Sequence, residues 1–406
     1  MKVVVTQSVL INALKRGGVA AVSPEGQAEE FRTKIPTRRC VRILADKKAI
    51  SIESTTEGVA SKSEMPVSDQ VAVEQEGGAC VPAKELTSLC SKLFPDHKVS
   101  IELIPSGKPK VNDTVAVKAL DGSECQVQAE FEAFPVEDFE AAKYADEPVA
   151  IKTKVEAVKK HCGAIEFASN PADYQNLHNN LAIEESDGVV YFVGTNGKRV
   201  AVVDVKKDDF GSGSLNGELL LIDAVTCGSI LGTLPPDAEL LMVREPDGQH
   251  IVLKCLDSWF RVAMVDEVRK AKFPKYKKAM TTPVKVEVVL NRKDLDLALA
   301  VVMEANKGRG KYEVKTGKDH VVVRGKGVTA LKEVQAKVKC DSVVSEGLQD
   351  GVIHLNSTFF SEAIKKMKGD KIKLSFTPDE KKAKVASVDS PEFTYVMLRL
   401  VEDEAN

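Results

Sequence analysis

The chain reads as an α+β protein made of three repeated units, each with two helices packed on antiparallel sheets. Three observations predict this fold class. One helix–stop–strand pattern occurs three times, a second amphipathic helix precedes each occurrence, and short period-two segments fill the stretches between.

The pattern occupies Val81–Asp96, Ile222–Asp237 and Leu355–Asp370. In the first copy Leu86, Leu89, Cys90 and Leu93 stand at i, i+3, i+4 and i+7, which places them on one helical face. Cys227, Ile230, Leu231 and Leu234 repeat that spacing, as do Phe360, Ala363, Ile364 and Met367. Each helix runs into a Pro, Gly or Asp stop and then alternating apolar residues, such as Val99, Ile101 and Leu103. The copies lie about 130–140 residues apart, a domain-sized period rather than a solenoid-sized one.

The preceding helices follow the same logic. Thr6 is placed to cap a helix from Gln7 to about Gly17 whose inner face carries Leu10, Ala13, Leu14 and Gly17. Thr153 is expected to open a helix with the stripe Val155, Val158, Cys162 and Ile165. Asn291 opens the third, with Leu295, Ala298, Leu299 and Val302 inside. Strand-like alternation follows, for example Val41/Ile43, Val190/Phe192 and Val321/Val323. Periodicity lapses near Ala142–Pro148 and Met280–Pro283, dividing the chain into expected domains 1–143, 144–282 and 283–406.

Composition narrows the function. Of 406 residues, 43% are apolar and 29% charged, the balance of a globular rather than a disordered or membrane protein. The formal net charge of −3 offers no bulk attraction for nucleic acid, so any such contact must come from a local basic surface. The N-terminal apolar run is too short for the core of a signal peptide, and no stretch reaches the length of a membrane span. Eight scattered cysteines without CxxC spacing read as small buried hydrophobes of a reducing cytoplasm. Six histidines show no metal-ligand spacing, so no metal or other cofactor is expected.

Enzyme chemistry finds no foothold. Gly194-Thr195-Asn196-Gly197-Lys198 has two residues between its glycines and Arg199 after its lysine, where a phosphate loop needs four residues and Ser/Thr. Gly308-Arg309-Gly310 is a fragment of a dinucleotide signature that follows a helix. His161 and Cys162 are sequence neighbours, which point in different directions on a helix.

The faces opposite the apolar stripes tilt basic: Lys15 and Arg16, Lys84 and Lys92, Lys152 and Lys160, Lys365 and Lys366. A single such face is ordinary solvated surface. If repeated units stood around a ring with their helices inward, the same faces would line one channel and their charge would add.

Four further segments carry a family resemblance. Thr195-Asn196-Gly197-Lys198-Arg199-Val200-Ala201 resembles the T-D-G-H-R-L-A motif of the bacterial sliding clamp, the β subunit of DNA polymerase III. Val81-Pro82-Ala83-Lys84, Phe273-Pro274-Lys275-Tyr276 and Phe393–Leu400 resemble three more of its segments, in family order. The resemblance covers essentially the whole chain. It implies three clamp domains, a ring-shaped head-to-tail homodimer around double-stranded DNA, and no catalysis. The implied partners are a replicative polymerase subunit, the clamp loader and others, each docking a short peptide.

By residue, the resemblance places that docking pocket at Thr195, Gly197, Lys198, Arg199, Val200, Pro274 and Lys278. Asn356, Phe359, Val396, Met397 and Leu398 complete it. DNA would meet Lys15, Arg16, Lys84 and the loop Pro171–Asn176 with Tyr174 and Gln175, while Val302 and Met303 would face the second subunit. Departures from the motif are Asn196 and Lys198 for Asp and His, Met397 for Pro, and an acidic tail, Val401–Asn406. A divergent paralogue, scaffolding a mobile element or a specialised polymerase, would share the same fold.

Overall fold

A computed structural model of the chain describes residues 1–21, 36–56, 58–107, 112–122, 124–144, 149–173, 175–215, 217–245, 248–281, 284–306, 310–326, 333–345, 352–376, 382–398 and 400. It is an α+β protein in which one scheme of strands and helices occurs three times.

The first copy runs β1 (Lys2–Thr6), α1 (Gln7–Gly17), β2 (Cys40–Ala45), β3 (Ala49–Thr56), β4 (Val59–Pro66) and β5 (Val71–Gln75). It continues through β6 (Gly77–Pro82), α2 (Ala83–Cys90), β7 (Lys98–Ile104), β8 (Asp113–Asp121) and β9 (Glu124–Ala133). The second runs β10 (Val149–Lys154), α3 (Val155–Ile165), β11 (Asn180–Ser186), β12 (Val189–Thr195), β13 (Arg199–Lys206) and β14 (Gly211–Gly213). Then come β15 (Leu219–Asp223), α4 (Ala224–Thr233), β16 (Glu239–Arg244), β17 (His250–Cys255) and β18 (Ser258–Ala263). The third has β19 (Val286–Asn291), α5 (Arg292–Asn306), β20 (Lys311–Thr316), β21 (His320–Lys326), β22 (Glu333–Ser345) and β23 (Val352–Asn356). It ends with α6 (Ser357–Lys366), β24 (Lys371–Phe376), β25 (Lys382–Ser387) and β26 (Phe393–Leu398).

In each copy, strands six, two, three and four form one antiparallel row, and five, one, seven, eight and nine form another. The long β22 serves as fourth and fifth strand at once: Glu333–Lys339 pairs with β21, and Cys340–Ser345 with β19. The copies are sewn together by strand pairing. β18 pairs with β4 to make a nine-stranded sheet, and β26 pairs with β13 in a twelve-stranded one.

Most residues of the helical stripes are buried as their spacing predicts, but in the first copy Leu89 and Leu93 are only partly buried and Leu93 lies past the end of α2. Leu10, Ala13, Leu14, Leu86 and Cys90 share one core with Val3, Val5, Ile43, Ile52, Val99 and Ile101. In the third copy Tyr312, fully buried between α5 and α6, donates its hydroxyl hydrogen to the Leu299 carbonyl at 3.0 Å. Each buried Leu or Ile contributes about 1.5–3 kcal/mol, enough to hold helices this short.

The helix starts differ from expectation. The Thr6 side chain makes no capping bond, and Thr153 belongs to β10 rather than to a helix. The first amides are instead satisfied by the loop after the copy's second helix: Gln7 N donates to His97 O, Val155 N to Ala238 O and Arg292 N to Asp370 O. Asn291 does cap, accepting from the amides of Lys293 and Asp294. Helix and strand approach so closely that a side chain is excluded. A Cβ on Gly17 would stand 2.3 Å from the Ile52 carbonyl oxygen, and one on Gly194 would stand 2.4 Å from that of Ile165.

Compactness divides the chain differently from the expected domains. One unit comprises Met1–Lys159, Gly211–Ser214 and Val225–Asp266, and the other Lys160–Phe210, Leu215–Ala224 and Glu267–Asn406. The division cuts the second copy because its two rows of strands are each sewn to a neighbouring copy. All eight cysteines are free; seven are buried, but Cys125 is exposed on β9. Among the described residues, no helix is long and apolar enough to cross a membrane, and no cluster of side chains is suited to a metal.

Candidate functional site

The site starts from the five-residue turn Thr195–Arg199. Between β12 and β13, Thr195 donates its hydroxyl hydrogen to the Arg199 carbonyl at 2.7 Å and accepts from the Gly197 amide at 3.1 Å. The Asn196 side-chain oxygen accepts from the amides of Lys198 and Arg199, both at 3.1 Å. Gly197 sits at φ +80°, a conformation that glycine adopts without steric cost. These bonds pin the turn and send its chain into β13, where Arg199 pairs with Met397 and Val200 with Val396. The seam is continued by the Leu398 amide, which donates to the Lys198 carbonyl at 2.9 Å.

A hollow of about 160 Å³ opens beside this seam. Val200, Val396, Met397, Leu398, Pro274 and Ala279 supply its apolar lining. Leu398 is 40% exposed there, while Val396 and Met397 are buried at 3% and 1%. The helical turn Tyr276–Met280 is anchored by Tyr276, which donates to Glu184 at 2.6 Å; Lys277 pairs with the same carboxylate at 2.6 Å. Burial and that bond to Glu184 push the Tyr276 phenol pKa up, so it remains a donor.

Arg199 lies beneath the hollow. Its guanidinium is paired with Glu362, donates to the Phe167 carbonyl, and rests 4.3 Å from the centre of the Phe359 ring. Phe167 in turn stacks on Tyr395 at 5.7 Å. A planar cation is held there between aromatic faces and a carboxylate under an apolar floor, although its buried Nε has no hydrogen-bond partner among the described residues. Its work is to support β13 and α6.

Of the residues singled out by sequence, Thr195, Gly197, Lys198, Arg199, Val200, Pro274, Val396, Met397 and Leu398 line this one hollow. Asn356, Phe359 and Lys278 do not. Asn356 caps α6 by accepting from the Phe359 amide at 3.0 Å, Phe359 lies under Arg199, and Lys278 is exposed on the Tyr276–Met280 turn. Lys275, Tyr276, Ala279 and Lys382 also line the hollow. Lys275 and Tyr276 stand inside a motif already quoted, whereas Lys382 carries no local signal. It arrives by register, opposite Leu398 across β25 and β26. Val401–Asn406 lies outside the described residues.

Elsewhere, Lys15 and Lys84 are exposed on α1 and α2, and Arg16 is half-buried. Gln175 is exposed in a loop held by Asp173, which accepts from the Asn176 amide at 3.1 Å and pairs with His178 at 2.8 Å. Tyr174 lies outside the described residues. Val302 must be corrected. It is fully buried on the inner face of α5, so it cannot meet a second subunit. Met303 is partly exposed, and the apolar side chains that project are Leu297 at 68% and Val301 at 50%.

Three copies of one two-helix unit, sewn strand to strand, are the fold of the bacterial DNA sliding clamps. Among solved structures, the chain resembles the DNA polymerase sliding clamp of Bacillus subtilis (15% identity, TM-score 0.83, 99% of each chain). It resembles the DNA polymerase III β subunit of Thermotoga maritima at 18% identity and TM-score 0.81, over 98% of this chain and 99% of that one. The Pseudomonas aeruginosa clamp bound to griselimycin matches at 16% and 0.80, over 99% of each. No protein-family model matches the chain, and no curated protein sequence does. At these identities the likeness is one of fold.

Proposed function

We propose that this protein is a DNA sliding clamp, a head-to-tail homodimeric ring that encircles duplex DNA and tethers a polymerase and other partners through short peptides. The observation that carries the reading is the repeated joint. Within the chain, the ninth strand of one copy pairs with the fourth strand of the copy before it, β18 with β4 and β26 with β13. Among the described residues, the outer edge of β9 and the outer edge of Glu333–Lys339 in β22 remain unpaired. The same joint, made between β9 of one chain and β22 of another, uses both edges, and two such joints close a ring. Leu297, Val301 and Met303 on α5, which packs on β22, then belong to the subunit contact.

The proposed domains are 1–143, 144–282 and 283–406. Lys15, Arg16, Lys84 and Gln175 supply sequence-independent contacts to phosphates, with Tyr174 proposed beside them. The hollow at the β13–β26 seam receives partner peptides. Nothing in this role requires a reaction.

The test is retention. Loaded onto nicked circular DNA, the protein should co-elute with the circle in gel filtration and be lost when the circle is cut. Equal retention on linear DNA would refute encirclement.

A further inference from the structure

We infer that the peptide received at the β13–β26 seam is acidic, an apolar anchor flanked by carboxylates that pair with Lys198, Lys275 and Lys382. The inference rests on the docking role proposed above and adds the chemistry of the occupant.

Three observations carry it. The hollow is lined by Lys198, Lys275, Arg199 and Lys382, with no acidic side chain among its described lining residues. The cations around it fall into two kinds. Arg199 is neutralised by Glu362 and Lys277 by Glu184. Lys198, Lys275 and Lys382 have no carboxylate within ion-pair distance among the described residues, which leaves their charge available to an occupant of the hollow. Finally, the hollow continues past Lys382 into a smaller one that shares Ala279, Lys382 and Val396 and adds Lys384. An extended occupant would therefore keep apolar surface on one side and cations on the other.

The chemistry selects a peptide over a nucleic acid. A phosphate backbone has no apolar side chain to desolvate against Val396, Met397 and Leu398, and here the cations stand around such a floor. A protein with formal net charge −3 presents this positive patch against its overall balance. Charge at the rim of an interface steers encounter and excludes basic partners, and salt screens it.

The experiment compares two fluorescent peptides with identical leucine and phenylalanine anchors, one flanked by Asp and Glu and the other by Asn and Gln. Each is titrated by anisotropy against the full-length dimer. The acidic peptide should bind about tenfold more tightly, the summed effect of several individually weak exposed pairs. The difference should vanish in the triple variant Lys198→Ala, Lys275→Ala, Lys382→Ala and shrink at about 1 M salt. Lys198→Glu with Lys275→Glu should invert the preference toward a lysine-flanked peptide. Equal binding of the two original peptides would overturn the charge inference and leave the docking site standing. Binding of neither would overturn both. Displacement of the acidic peptide by short duplex DNA, with the anchors dispensable, would assign the lysines to DNA and overturn the inference.

Discussion

Gly197 shows how much one backbone angle controls at the hollow. Its φ of +80° closes the Thr195–Arg199 turn, and a Cβ there would stand 2.8 Å from the His178 ring. Gly197→Ala should therefore cost about 1–2 kcal/mol, from the left-handed conformation and from displacing His178. It should also weaken peptide binding severalfold while dimer mass is unchanged; thermal unfolding and anisotropy on one preparation check both. His161 makes a separate residue-scale prediction. Burial, with Lys160 and Lys368 adding to it and Glu392 opposing, pushes its imidazole pKa down to about 4 from the ordinary 6.5. The unfolded chain takes up this proton below about 6.5 and the folded chain only near 4. The stability from keeping the ring neutral is thus complete above about 6.5 and is lost between there and 4. That loss is up to about 3 kcal/mol. Urea denaturation at pH 7 and near pH 4.5 should show a smaller difference for His161→Gln than for the natural chain. An equal difference would place the titrating group elsewhere.

At the scale of elements, α5 distinguishes what a stripe reveals from what it hides. Its spacing put Leu295, Ala298, Leu299 and Val302 inside, and all four are buried. Resemblance put Val302 at a subunit contact, and the two expectations cannot both hold for one side chain. Periodicity prevailed because burying Val302 in its own core stabilises the monomer before any partner arrives. The projecting Leu297 and Val301 are one turn apart, an apolar pair on the exposed face of α5. Leu297→Glu with Val301→Glu should shift sedimentation from dimer to monomer while leaving the circular dichroism spectrum unchanged. A dimer that persists would move the contact off α5. The helix caps were less legible. Thr6 and Asn291 are both good capping residues by type, yet only Asn291 caps. The loop before β7 reaches the first amides of α1 instead, and no local sequence encodes that approach.

For the whole molecule, the proposed function is topological, which separates it from ordinary DNA binding. Contacts through Lys15, Arg16 and Lys84 would be lost as salt rises, because each phosphate neutralised releases counterions. A closed ring is not bound by that dependence. Once loaded on circular DNA, the protein should remain through about 0.5 M salt that abolishes its binding to short linear duplex. Parallel loss of both would mean that charge, not closure, holds it.

The sequence by itself determined the threefold repeat and the inward face of the long helices, which are local properties: a helical period of 3.6 and a strand period of two. Most of the hollow's lining was legible only through the family resemblance of its motifs, not through any period. Tertiary structure alone decided what meets across the chain. Val200 lies beside Val396, and Lys382 comes opposite Leu398, because strand register joins segments whose spacing no local pattern records. It also decided that Arg199 is neutralised by Glu362, whereas no carboxylate among the described residues reaches Lys198, Lys275 or Lys382. Charge can be counted in a sequence, but compensation of charge depends on distance, and distance exists only once the chain has folded.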